Sequence, residues 1–88
     1  MKFTYKSYEI LLDEGYVLIS KVPISVVNAA DDDTFEMMLD SGVVAGYDRS
    51  DGYNYYKDYP DRGVVDFITD MIRLHNIGTG EDLDADDL

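Results

Sequence analysis

The sequence predicts a small α+β domain of the order ββαββα, and three observations carry that reading. Apolar and polar residues alternate loosely from Phe3 to Leu12 and again from Tyr16 to Val22, the period of a half-buried strand. The spacing becomes helical at Phe35, Met38 and Leu39, and most clearly at Val64, Phe67, Ile68, Met71, Ile72 and His75. Two further β-prone runs, Val43–Tyr47 and Tyr53–Lys57, flank a cluster of turn-forming residues.

Each element has a local justification. The first two runs are joined by Asp13-Glu14-Gly15, whose glycine tolerates the positive φ of a three-residue hairpin loop, so they read as a β-hairpin. A helix from Ser7 to Glu14 is the competing reading of the first run. Pro23 lacks an amide donor, so the second strand either ends there or continues through Ile24–Val27 along a sheet edge; the edge is the preferred reading. The first helix falls within residues 28–42, with Asn28 and Asp31, or Asp33 and Glu36, as candidate cap pairs and Gly42 as its left-handed stop. Val43–Tyr47 and Tyr53–Lys57 read as a second hairpin across Asp48-Arg-Ser-Asp-Gly52. Pro60 suits the first position of the second helix, which runs through Asn76 with Arg62–Asp66 and Asp70–Arg73 as supporting pairs. Residues 1–77 are therefore read as one domain and residues 78–88 as an acidic, disordered tail.

Charge is the dominant compositional fact. The chain has 88 residues, 19 Asp and Glu against 7 Lys and Arg, and a net charge of −12. Removing the five acids of the tail leaves 14 acids against the same 7 bases, so residues 1–77 alone carry −7. Apolar content of 45 % is too high for a disordered acidic chain. A domain of this size buries only roughly 60–65 % of its unfolded surface, which leaves room for a partner or a second copy to add burial. Cysteine is absent, which excludes a disulfide framework and thiolate chemistry, and no segment has the length and apolarity of a signal or membrane span, so a cytoplasmic location is expected. A charge this negative repels nucleic acid and anionic membrane and attracts basic protein surfaces.

Chemistry-bearing motifs are few. His75 is the lone histidine, and its place on the apolar stripe near a helix C-terminus is explained by packing and the helix dipole, so no catalytic role is assigned and the chain is expected not to be an enzyme. Asp82-Leu-Asp-Ala-Asp86 has the alternating acids that open a calcium loop, but Asp87 occupies the position that requires glycine, so neither metal nor cofactor is expected. Leu39-Asp40-Ser41 resembles the attachment motif of acyl carrier proteins, but Gly42 stands where that family has leucine, and the reading is set aside.

Two regions exceed what folding needs. Asp31, Asp32, Asp33, Glu36 and Asp40 crowd one short helix without a lysine partner, although capping and the dipole account for only one or two of them. Residues 47–61 interleave tyrosines with aspartates, including Asp48, Asp51, Tyr53, Tyr55, Tyr56, Asp58, Tyr59 and Asp61. Tyrosine gives large contact area at low rotamer cost, and its combination with carboxylates suits a basic groove on another protein. These thirteen residues form the candidate partner-binding set.

In size, charge and mixed helix–sheet pattern the chain resembles phage-encoded inhibitors of the anti-CRISPR and anti-restriction type. Tyr55 to Asn76, with paired tyrosines, a proline, Gly63-Val64-Val65 and an amphipathic helix, resembles the distal part of colicin DNase immunity proteins. Both resemblances imply an acidic, tyrosine-bearing DNA mimic that occludes the nucleic-acid site of a basic protein such as a CRISPR effector or restriction nuclease. The alternative is a small acidic adaptor that binds a basic surface without displacing nucleic acid.

Overall fold

The computed structural model describes residues 1–13, 15–48, 50 and 53–79. Its centre is one antiparallel sheet in the order β1-β2-β3-β4, formed by β1 (Lys2–Tyr5), β2 (Tyr8–Leu12), β3 (Tyr16–Ser20) and β4 (Val44–Asp48). Two helices, α1 (Ile24–Ala29) and α2 (Asp32–Asp40), connect β3 to β4. A 3₁₀ helix (Tyr53–Asp58) and the long α3 (Arg62–Thr79) follow. The α+β class is as the sequence predicts. Among the described residues no helix is long and apolar enough to cross a membrane.

Strand alternation divides the side chains between two faces. Phe3, Tyr5, Tyr8, Ile10, Leu12, Val17, Ile19, Ala45 and Tyr47 share one face, because Phe3 pairs with Ile10, Ile10 with Ile19, and Ile19 with Ala45. On that face Ile10, Leu12, Val17 and Ile19 meet Val64, Val65, Ile68 and Ile72 of α3 and Tyr56 of the 3₁₀ helix in the main core. The opposite face presents Leu18 and Val44 to Ile24 and Val27 of α1, with Phe35 and Met38 of α2 packed against them. Burial of Ile24 and Val27 at i and i+3, and of α3 residues at helical spacing, is what fixes each helix to its face.

Several boundaries differ from the sequence reading. The first run is two strands, because Lys6-Ser7 makes a two-residue hairpin turn with Tyr5 opposite Tyr8 and Lys6 at φ 52°. Pro23 does not continue an edge strand. It precedes α1, whose first amide, at Ile24, donates to Glu9 Oε1 at 2.8 Å. The single helix expected within residues 28–42 is broken by extended backbone at Ala30. α2 is capped by Asp31, whose carboxylate accepts the Thr34 amide at 2.7 Å, and neither of the proposed cap pairs forms this cap. Gly42 at φ +78° supplies the expected left-handed stop.

The second hairpin does not form. β4 pairs with β3, and Tyr53–Asp58 coils into the 3₁₀ helix because the inward turn of Tyr56 to complete exclusion from solvent outweighs the β propensity of the run. Pro60 lies one residue before the cap of α3. That cap is Asp61, which accepts from the amides of Gly63 at 3.0 Å and Val64 at 3.3 Å. Asp70 and Arg73 approach to 3.8 Å on the exposed face as expected, whereas Arg62 donates to the Lys57 carbonyl at 3.0 Å. His75 Nδ1 lies 3.3 Å from the Met1 sulfur, a packing position across the chain. α3 continues to Thr79; the remainder of the predicted tail, residues 80–88, lies outside the described residues.

Candidate partner-binding face

The acidic helix is built shallow. No residue of α2 is buried, and its attachment to the sheet rests on the half-buried Phe35 and Met38. At about 100° per residue Asp32, Glu36, Asp40 and Asp33 fall within an arc of about 100°, turned away from Phe35 and Met38. All four are exposed. Met37, 70 % exposed, borders that arc. Residues 22–48 contain six acids and no lysine or arginine, so nothing along this stretch of chain neutralises the face. Asp31 stands apart because its hydrogen bonds from the Thr34 side chain and amide hold its carboxyl below the ordinary value; it is committed to capping.

The tyrosine–aspartate segment divides into distinct roles. Tyr56 is a correction to the candidate set: it is fully buried, with its hydroxyl 2.9 Å from Thr69 Oγ1, and offers nothing to a partner. Tyr55 is 54 % exposed, and Asp58 is exposed beside it. Asp48 accepts from the Ser50 amide and hydroxyl, both at 2.7 Å, and these bonds lower its pKa. Asp51 and the side chain of Tyr53 lie outside the described residues.

Tyr59 and Asp61 lead to a feature that the linear pattern hides. A cleft of about 540 Å³ is lined by Tyr8, Tyr47, Tyr59, Pro60 and Asp61, and reaches Leu39 near the C-terminal end of α2. Tyr8 and Tyr47 share a sheet face, and the small Ala45 lines the same cleft. The Tyr8 and Tyr59 rings meet edge to face, 6.2 Å between centroids and 83° between planes. Burial, then the hydrogen bond to Asp61, pushes the Tyr8 hydroxyl up to about 12. Burial also raises Tyr47, with Tyr59 and Asp58 adding to the effect. Desolvation acts to raise Asp61, but hydrogen bonds from Val64, Tyr8 and Gly63, together with the Lys6 charge, outweigh it and hold the carboxylate ionised.

The fold therefore brings Tyr59 and Asp61 toward one end of the acidic helix and turns the Tyr56 side chain into the core. Tyr8 and Tyr47 were missing from the candidate set. The signal available for them was strand alternation, which places both on the face of Ile10 and Val17. Among the described residues, no group of three or more His, Asp or Glu is arranged to hold a metal ion. The chain matches no family model, no curated protein and no solved structure.

Proposed function

We propose that this protein is a non-enzymatic inhibitor that presents α2 as a substitute for a nucleic-acid strand and occludes the basic site of a nucleic-acid-handling protein. The observation that carries the reading is the unneutralised arc of Asp32, Asp33, Glu36 and Asp40 on a helix that contributes no buried residue to the core.

Charge density supports the comparison. At about 1.5 Å rise per residue, Asp32 to Asp40 spans about 12 Å. Four carboxylates over that length give roughly one charge per 3 Å, comparable with about 3.4 Å per phosphate along one strand of duplex DNA. Like charges at i and i+4, as at Asp32–Glu36 and Glu36–Asp40, destabilise a helix by about 0.2–0.5 kcal/mol each. A helix that carries this cost while packing only the half-buried Phe35 and Met38 against the sheet fits selection for its surface. Anti-CRISPR and anti-restriction inhibitors, acting in the bacterial cytoplasm on an effector or nuclease, are the class that best fits such a surface.

The test is affinity capture from a bacterial lysate at low and moderate salt, followed by challenge with duplex DNA. Release of a DNA-handling partner by DNA, and loss of capture by a variant with Asp32, Asp33 and Glu36 changed to Lys, is the expected result. Asp31 is left intact so that α2 keeps its cap. A partner that holds DNA and this protein together would replace mimicry with the adaptor reading, and a fully active triple variant would remove α2 as the binding face.

A further inference from the structure

Among the described residues no strand pairs with the outer edge of β4, and two grooves of different chemistry meet there. Lys21 N donates to Val43 O at 2.9 Å, and the register sets Ser20 opposite Val44, Leu18 opposite Gly46 and Tyr16 opposite Asp48. In an antiparallel ladder the bonded pairs are then Ile19–Ala45 and Val17–Tyr47. The intervening residues Val44, Gly46 and Asp48 turn their N–H and C=O groups away from β3, toward the edge. Natural edges are blunted by proline, lysine or a bulge. β4 reads Val-Ala-Gly-Tyr-Asp with an unbroken register over five pairs, and carries neither proline, lysine nor a bulge.

The grooves differ in chemistry. On the α3 side lies the cleft of Tyr8, Tyr47, Tyr59 and Asp61. On the α2 side a groove of about 230 Å³ is lined by Leu18 and Phe35, and it meets the cleft along β4, where Leu39, Gly46 and Tyr47 line both. The groove is uncrowded at Gly46, where a Cβ would meet only Leu18 Cδ1, at 3.8 Å. Successive residues of a strand laid on the edge would point alternately to the two sides.

We propose that β4 accepts an extended segment of the partner as a fifth strand, with an arginine or lysine in the tyrosine–Asp61 cleft and a neighbouring apolar side chain in the Leu18–Phe35–Leu39 groove. The inference rests on the reading of a basic partner given above and adds the mode of attachment. Charge complementarity with a chain of net charge −12 selects this occupant over a second copy, which carries the same net charge. Within the cleft, Asp61 supplies the carboxylate, and the tyrosine rings supply π faces for a guanidinium or ammonium group. Lys21 lines the cleft and the Lys6 charge acts on Asp61, so both oppose the incoming cation.

The test uses the full chain and a capped hexapeptide alternating arginine and valine, with a glutamate–valine peptide as control. Amide hydrogen exchange followed by NMR should slow at Val44, Gly46 and Asp48 with the arginine peptide alone. Gly46→Pro removes an N–H that faces away from β3, so it costs no bond of the existing ladder and should weaken binding about tenfold, as expected for one lost hydrogen bond and its neighbours. Backbone N-methylation of the arginine peptide should have the same effect on the wild-type protein, which keeps the test valid if the proline variant fails to fold. Lys21→Ala should tighten binding. Absence of binding, binding without protection of these three amides, or protection that appears without peptide as protein concentration rises would each overturn the proposal. None of these outcomes bears on whether DNA displaces the captured partner.

Discussion

The Tyr8 hydroxyl donates a hydrogen bond to the carboxylate of Asp61, the same group that accepts the amides of Gly63 and Val64 at the start of α3. One side chain thus terminates a helix, ties it to the second strand of the sheet and lines the tyrosine cleft. Proton loss from Tyr8 would set a phenolate against a carboxylate, so the folded state resists it. The ordinary tyrosine value is 10.0, and here it is about 12. Between those values the unfolded chain has released the proton and the folded chain has not, so stability is intact below pH 10 and falls as pH rises through about 12. Chemical denaturation across this range should show the loss, and Tyr8→Phe should flatten it. An unchanged alkaline slope in Tyr8→Phe would assign the effect elsewhere.

Gly63 lies in close approach to two side chains at the same corner. A Cβ built there lies 2.6 Å from the Tyr5 hydroxyl and 3.2 Å from Asp61 Oδ1. Gly63→Ala is expected to destabilise the fold by about 1–3 kcal/mol, the usual cost of overpacking. Because the nearest obstacle is a hydroxyl at the end of a side chain, Tyr5→Phe in the same molecule should return part of that loss. Additive effects of the two substitutions in a double-mutant cycle would show that the contact is not the cause.

Tyr56 tests the division between core and surface within the tyrosine segment. The Thr69 hydroxyl donates to the Val65 carbonyl at 3.0 Å, which leaves its oxygen to accept the Tyr56 proton. Tyr56→Phe should cost about 0.5–1.5 kcal/mol for that bond, and Tyr56→Ala about 3–5 kcal/mol for the lost ring. Tyr55→Ala, at an exposed position of the same 3₁₀ helix, should change stability by less than about 0.5 kcal/mol. Denaturant midpoints for the three variants check the ordering.

What the sequence made legible follows from how local each signal is. The β2–β3 hairpin, the apolar stripe of α3 and the stop at Gly42 depend on spacing and on one glycine conformation, and all three stand as read. The turn at Lys6-Ser7 was hidden because its positive φ, 52°, falls on a lysine, not on a glycine or asparagine; the Lys6 ammonium lies 5.3 Å from the Tyr5 ring centroid. α1 was hidden by β-branched Ile24, Val26 and Val27 and by a support, Glu9, fifteen residues away in the chain. The acidic arc of α2 was visible in composition, but the commitment of Asp31 to capping was not. The cleft was not legible at all, since Tyr8, Tyr47, Tyr59 and Asp61 meet only when two strands and the approach to α3 are assembled.

Glu36 offers the sharpest separation of folding from function. It lies four residues from Asp32 and four from Asp40, at the centre of the acidic arc, and is exposed. Glu36→Lys converts both repulsive i,i+4 relationships into attractive ones and should raise stability by about 0.5–1 kcal/mol. If the arc exists to engage a basic partner, the same substitution should weaken capture several-fold and reduce its salt dependence, because it replaces a central carboxylate with a like charge facing the partner. Thermal melts and capture at two salt concentrations measure the two effects on one variant. A gain in stability with no loss of capture would leave the acids of α2 as a solvated surface, and a loss of both would show that Glu36 supports the fold in a way its exposed position does not reveal.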